Sequence, residues 1–346
     1  MRTPRITGRK FAIVGTALAL TATAACSGSR EGGGNSGGSG EAAGSDCATQ
    51  QVDALVHTDA GGGADLLARE LIAMMEDEEI IEPGTWTVDN REGGGSAVAL
   101  GYLQEQSGRD DIVAFSSNVY VVNRLVTEGV EVGYGSFTPI VALYNDSMAA
   151  AVAADGPYKS LQDFIDAAKA APGTLVQAGG SQTATDALAG EFLQRESGAE
   201  WQFLSFPGGG ERKTALLRGD AGLYLTEPAD MLENVEAGEM IPVAIVGEER
   251  VDLMPDVPTT VELGYDDLPP AQTRGIVGPP DMPEEAVTCY AGLFEQLTET
   301  ASYQEFIERS AAVPNFLVGA EFDAYLAELE QTHIELFRET GQLVNE

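Results

Sequence analysis

The chain has 346 residues, 43% of them hydrophobic, which is enough apolar material for one large or two ordinary domains. Nineteen Lys and Arg against 55 Asp and Glu give a formal charge of −36, arguing against a nucleic-acid binder and against electrostatic docking on anionic lipid. Three cysteines and two histidines exclude a disulfide-rich miniprotein and a clustered zinc site, and leave little room for histidine-based catalysis.

The chain opens with Arg2, Arg5, Arg9 and Lys10 and no acid, followed by an apolar run over residues 11–25. That run is short for a bilayer span and has the length of a secretory leader. It ends in Thr23-Ala24-Ala25-Cys26-Ser27, where small residues before a cysteine resemble a bacterial lipobox. Residues 1–25 then read as a lipoprotein signal peptide, with Cys26 as the lipid attachment point. An ordinary signal peptide with an incidental cysteine is the alternative. Loss of residues 1–25 leaves a charge of −40. Residues 26–46 carry the acyl-cysteine and a Gly/Ser tether with an end-to-end distance of roughly 25 Å. These features predict a protein outside the cytoplasmic membrane, held to it by lipid. Cys47 and Cys289 are the other two thiols, in an oxidising compartment. They are either bridged or two buried free thiols. The excess acid reads as a solvated face, through adaptation to salt or for solubility.

In the body, Ala54-Leu55-Val56 reads as a strand and Gly61-Gly62-Gly63 as a turn. Leu67, Leu71, Met74 and Met75 recur at helical spacing through Glu79. Trp86-Thr87-Val88 is a strand, 97–106 a helix, 111–115 a strand and 119–127 a helix. Further on, 161–171 and 185–196 read as helices and 174–177 and 240–246 as strands. Residues 284–299, 301–311 and 320–340 read as helices. The alternation predicts α/β layers with largely parallel sheets.

Three glycine-bearing turns stand beside these elements. They are His57-Thr58-Asp59-Ala60-Gly61-Gly62-Gly63-Ala64-Asp65, Gly179-Gly180-Ser181-Gln182-Thr183-Ala184-Thr185-Asp186 and Phe206-Pro207-Gly208-Gly209-Gly210. Glycine lets backbone N–H groups converge on a ligand, and a helix start adds free donors and a positive dipole end. Such a corner holds an anion with no basic side chain, even in a strongly acidic protein, because distant charges are screened over roughly 8 Å. Each turn alone is also consistent with a plain tight turn. None is a P-loop or a dinucleotide fingerprint.

The order of segments is more specific. The first two turns, Asn90-Arg91-Glu92-Gly93, the Phe206 turn, Pro255-Asp256-Val257-Pro258-Thr259 with Glu262-Leu263-Gly264, and Arg274-Gly275-Ile276-Val277-Gly278 follow one another. This series resembles the substrate-binding proteins of tripartite tricarboxylate transporters, the Bug family, over nearly the whole mature body. The resemblance implies a type II periplasmic-binding-protein fold with two α/β lobes and a ligand cleft between them. Lobe 1 would hold 47–146 plus 266–346 and lobe 2 would hold 147–265, placing Cys47 and Cys289 in one lobe. It also implies a binding site for a small carboxylate with no cofactor and no metal. The first turn (Thr58, Asp59, Ala60, Gly61, Gly62, Gly63, Asp65) would face the second (Gly179, Gly180, Ser181, Gln182, Thr183, Thr185, Asp186). Ser116, Ser117 and Asn118 would add polar contacts, and Phe206, Gly208 and Gly209 would line lobe 2.

Some positions depart from the family pattern. Gln182, Thr183, Ala184 and Ala187 replace smaller or different residues after Gly179-Gly180-Ser181, and His57-Thr58-Asp59 replaces the usual Pro-Phe-Pro. Asp59 repels an anion, binds a cationic group or points outward. Arg91 reaches a second carboxylate or bonds backbone carbonyls. His57 reads as a strand-end residue and His333 as a solvent-facing helix residue.

The function expected is therefore non-enzymatic capture of a small organic anion for the membrane permease subunits of a tripartite tricarboxylate transporter. A ligand-sensing partner of a sensor kinase is the alternative. A hydrolase on the same fold lacks support, since no G-x-S-x-G, H-E-x-x-H or tandem Cys/His cluster occurs. Asp65 and Asp186 are more simply caps at helix starts.

Overall fold

The computed structural model describes residues 47–180, 184–206, 209–266 and 270–345. Cys26 and the rest of the leader and tether lie outside them, as do Ser181, Gln182, Thr183 and Gly208.

The first part of the body runs β1 (Val52–Val56), α1 (Gly63–Asp77), β2 (Trp86–Asn90), α2 (Ala97–Gln104), β3 (Ile112–Ser116), α3 (Val119–Val126) and β4 (Thr138–Asp146). The middle part runs β5 (Met148–Ala153), α4 (Leu161–Ala170), β6 (Val176–Gly179), α5 (Thr185–Ser197), β7 (Gln202–Ser205), α6 (Gly209–Arg218), β8 (Leu223–Thr226), α7 (Pro228–Glu236) and β9 (Met240–Val246). The chain closes with β10 (Gln272–Gly278), α8 (Glu284–Thr298), α9 (Ala301–Ser310), β11 (Val313–Val318) and α10 (Gly319–Thr340).

Two sheets result, ordered β11-β4-β10-β3-β1-β2 and β7-β6-β8-β5-β9. The expectation of largely parallel sheets is corrected. β1 pairs in parallel with β2 and β3, and β6 with β7 and β8. β10, β4 and β11 run antiparallel in the first sheet, and β5 runs antiparallel to β8 and β9 in the second. The antiparallel strands flank the places where the chain passes from one sheet to the other. Only Ser147 separates β4 from β5, and β10 brings the chain back to the first sheet beside β4.

Helices cover both faces of each sheet, so strand residues alternate between two apolar cores. In β1, Ala54 and Val56 join Leu71, Met75, Trp86 and Phe294, while Leu55 joins Leu100, Leu103 and Phe322 on the opposite face. In β5, Ala149 and Ala151 pack with Tyr224 and Met231, and Ala150 and Val152 with Phe164 and Trp201. Both tryptophans are core residues. Trp86 meets Tyr290 and Phe294 edge-on, with ring centroids 5.8 and 6.1 Å apart.

Cys47 and Cys289 are joined in a disulfide across 242 residues, with Cα atoms 6.1 Å apart. Cys47 is fully buried. The bond pins the start of the body to α8.

The Pro-Asp-Val-Pro-Thr segment serves the scaffold. The Thr259 N–H donates to Glu262 Oε2 at 2.8 Å, and the Glu262 N–H donates back to Thr259 Oγ1 at 3.0 Å. Arg250 clasps Glu262 and the Pro255 carbonyl. This reciprocal cap fastens the segment against the end of β9 through Ile245.

Candidate functional site

The first glycine corner lies between β1 and α1. Gly61 sits at φ +86°, a conformation open to glycine, and a methyl at Gly62 would come 2.7 Å from Thr58 Cβ. Asp65, with a side chain only 3% exposed, holds the corner. Its carboxylate accepts from the Gly61 N–H at 2.9 Å, from Arg69 Nε at 3.0 Å and from Asn90 Nδ2 at 3.0 Å. The Arg69 bond and the Gly61 N–H pull its pKa down to about 2, against the cost of burial. A depressed carboxyl stabilises the fold fully above its unfolded pKa of 3.8 and loses that contribution as pH falls toward about 2. Arg69 is half-exposed, so screening reduces the effect. Asp65→Asn is expected to lose about 1–2 kcal/mol in urea melts at pH 7, with the difference vanishing near pH 2. An unchanged melt at pH 7 would contradict this role.

The second corner lies between β6 and α5. The Gly180 N–H donates to Asp186 Oδ2 at 2.7 Å, so Asp186 does for this corner what Asp65 does for the first. Burial raises the Asp186 pKa, opposed by the Gly180 N–H and by the charge of Arg212. Behind it, buried Gln177 donates to the Asp186 carbonyl at 2.7 Å and accepts from Trp201 Nε1 at 3.0 Å. A methyl at Gly190 would lie 1.9 Å from Gln177 Oε1, so α5 needs glycine there for this lock to close.

The N-cap residues of α1 and α5, Gly62 and Ala184, offer no side-chain cap, and side chains among the described residues accept only the Asp65 N–H (Thr58 Oγ1, 3.3 Å) and the Ala187 N–H (Asp186 Oδ1, 2.9 Å) in these first turns. Among the described residues, the Gly63, Ala64 and Thr185 N–H groups have no acceptor. All three residues border one cavity of about 340 Å³. Thr58, Ser117 and Asn118 border it too. A second cavity of about 280 Å³ adjoins it, sharing Ala184, Thr185 and Gln272 and adding Asp186, Arg212 and Glu227. Thr185 Oγ1 donates to Gln272 Oε1 at 3.2 Å where the two cavities meet.

The remaining sequence candidates lie elsewhere. Asp59, Ala60 and Gly61 are exposed and, with Gly62, Asp65, Gly179 and Gly180, border neither cavity. Ser116 is buried at the end of β3 and borders a void of about 10 Å³. Phe206 and Gly209 also lie outside both cavities, and Phe206 faces a shallow depression with Arg218. Asn118 spends its amide on the returning chain, donating to the Ala271 carbonyl at 2.8 Å and accepting from the Thr273 N–H at 3.0 Å.

Arg91 bonds no backbone carbonyl among the described residues. It pairs with Asp89 at 2.7 Å and lies 3.3 Å above the Tyr102 ring. His57 directly follows β1 and borders the larger cavity, and its Nδ1 is buried without a partner among the described residues. Burial and the nearby Arg274 charge lower its pKa to about 4, so it is neutral at pH 7. His333 is corrected outright. It is 1% exposed, bonds the Leu329 carbonyl through Nδ1 at 2.7 Å and borders the same cavity. The end of α10 packs through Leu336 and Phe337 on Val122 and Leu125 of α3 and on Leu188 and Phe192 of α5, which turns this helix face inward.

Four charged residues were missed. Arg274 pairs with Asp146 at 2.7 Å, and both side chains are nearly covered. Glu227 lies 4.0 Å from Arg274. Burial and the Asp146 charge push Glu227 up to about 7, with Arg274 opposing. A raised carboxyl favours the fold fully below its unfolded pKa of 4.5 and loses that contribution as pH rises through about 7. Arg212 borders the smaller cavity from α6. Among the described residues no cluster of three His, Cys, Asp or Glu side chains can hold a metal, and no helix is long and apolar enough to cross a membrane.

A family profile described as the tripartite tricarboxylate transporter family receptor matches residues 77–329. Protein BugT of Bordetella pertussis is 23% identical over 301 residues, covering 84% of this chain and 89% of that protein. The UPF0065 protein in the gbd 5' region of Cupriavidus necator is 26% identical over 202 residues, covering 58% of this chain and only 61% of that protein's length. The solved structure of R. palustris Rpa4515 with adipate superposes with a TM-score of 0.72 at 21% identity, covering 85% of this chain and 97% of that one. At that identity the likeness is one of fold: two α/β lobes of the periplasmic-binding type.

Proposed function

The chain belongs to the tripartite tricarboxylate transporter receptor family, the Bug family, and on that premise we propose that it captures a small carboxylate and hands it to membrane permease subunits. It is a solute-binding receptor and not an enzyme. One observation carries the ligand class: the first residues of α1 and α5, Gly63, Ala64 and Thr185, whose N–H groups have no acceptor among the described residues, all border one cavity. Two positive dipole ends converging on one space favour an anion. The adipate held by the Rpa4515 relative supports the same class.

In this reading residues 47–146 with 266–346 form one lobe and 147–265 the other. They close by bending at the crossings between the two sheets, Ser147 among them, and capture is differential affinity for the closed form. The Cys26 thiol is acylated and the chain is cut before it, releasing residues 1–25, and the tether holds the body near its permease.

The test is thermal unfolding with a panel of organic acids, sugars and amines. A ligand at about 100 times its Kd stabilises by about 2.7 kcal/mol, a readily measured shift. Stabilisation by at least one carboxylate is expected. A response confined to sugars or amines would overturn the ligand class. A diacylglyceryl mass on Cys26 in membrane-derived protein tests the anchor, and cleavage at another site would overturn it.

A further inference from the structure

We propose that Arg212 is a specificity-determining residue that selects ligands carrying a second anionic group, seated in the smaller cavity while the first sits at the paired helix N-termini. The inference rests on the carboxylate reading above and adds to it a residue and a requirement on the ligand.

The charge balance of the chain makes Arg212 unusual. Acids outnumber bases nearly three to one. Among the described residues eight other arginines lie within 4.0 Å of a carboxylate oxygen. Arg212 has none at that distance, although it borders a cavity of about 280 Å³. Its one hydrogen bond among the described residues runs from Nε to the Phe206 carbonyl at 3.3 Å. The two terminal nitrogens keep their donors, the set a guanidinium uses to grip a carboxylate in two-pronged fashion.

The guanidinium is also held in place. It lies against Gly180, where a methyl would come 3.2 Å from a terminal nitrogen and 3.4 Å from the central carbon. Any side chain at Gly180 would crowd it. Arg212 therefore stands beside the second corner, one cavity from Gly63 and Ala64, with Thr185 and Gln272 between.

The acids on the same wall are engaged by other donors, although Asp186 also feels the Arg212 charge. Asp146 is occupied by Arg274, and Asp186 accepts the Gly180 and Ala187 N–H groups. Glu227 accepts from Thr226 Oγ1 at 3.3 Å and lies 4.0 Å from Arg274.

The experiment is calorimetric titration of the full chain in detergent, using pairs of straight-chain acids of equal length with one or two carboxylates, from four to six carbons. The wild type is expected to bind its preferred diacid at least 10-fold more tightly than the matching monoacid. Arg212→Gln should weaken that diacid 10- to 100-fold and leave the monoacid within about 3-fold. Arg212→Lys should recover part of the loss. Equal weakening of both acids, or of neither, would overturn the assignment, as would a wild-type preference for the monoacid or for an ω-amino acid of the same length. Failure of the wild type to bind any acid would instead bring down the carboxylate reading itself, and this inference with it.

Discussion

Arg274→Met should cost about 3–5 kcal/mol of stability, because it strands a buried carboxylate. Arg274 Nε reaches Asp146 Oδ2 at 2.8 Å and Nη2 reaches it at 2.7 Å, and the two side chains are 16% and 13% exposed. Burial works against the guanidinium charge, but the Asp146 and Tyr144 oxygens outweigh it and raise the Arg274 pKa. Without Arg274, Asp146 keeps one donor, Gln272 Nε2 at 2.8 Å, and faces Glu227 with no cation between them. Asp146 ends β4 and Arg274 lies in β10, so the pair ties together the two strands that border the passage between sheets. A double variant, Arg274→Met with Asp146→Leu, removes both charges and should regain more than half of the loss. Urea melts of the two variants check this. A loss below about 1 kcal/mol for Arg274→Met would show that the pair is not held out of water.

The second large effect concerns the disulfide. In the chain-entropy account, closing a loop of 242 residues restricts the unfolded chain by up to about 5 kcal/mol. Cys47→Ser with Cys289→Ser should therefore lower the thermal midpoint by about 10 °C. Wild type melted in a strong reductant should match the double variant. The effect falls on the unfolded state, so ligand affinity should be unchanged. A midpoint within 2 °C of wild type, or free thiols at positions 47 and 289 in the oxidised protein, would contradict the bridge.

The long helices were legible because their apolar faces repeat at helical spacing. The expected helix over 97–106 is α2, and that over 320–340 is α10. Strands between sheets were not legible. β4 and β5 form nearly continuous apolar runs, in which periodicity does not separate a buried strand from a helix. β10 is broken up by Gly275 and Gly278, and β11 is a largely exposed edge strand with Pro314 inside it. Those four strands supply the antiparallel pairings, so a reading from the alternating segments alone overstated the parallel part.

The candidate site was legible to a similar degree. Both glycine corners were visible because turn chemistry is local. The partners of the missed charges were not, since Arg274 and Asp146 are 128 residues apart. Helical spacing alone did not reveal that the end of α10, just after His333, packs against α3 and α5. Arg212 carried a faint signal: it is one of few cations and follows a glycine corner by two residues.

The central claim is that main-chain N–H groups of two opposed helix starts meet at one anionic ligand, and backbone amide NMR during ligand titration tests it most directly. With the acid that stabilises the protein, the Gly63, Ala64 and Thr185 amides should shift downfield together and saturate at one equivalent. Saturable binding that leaves those three amides in place, while resonances elsewhere move, would contradict the account.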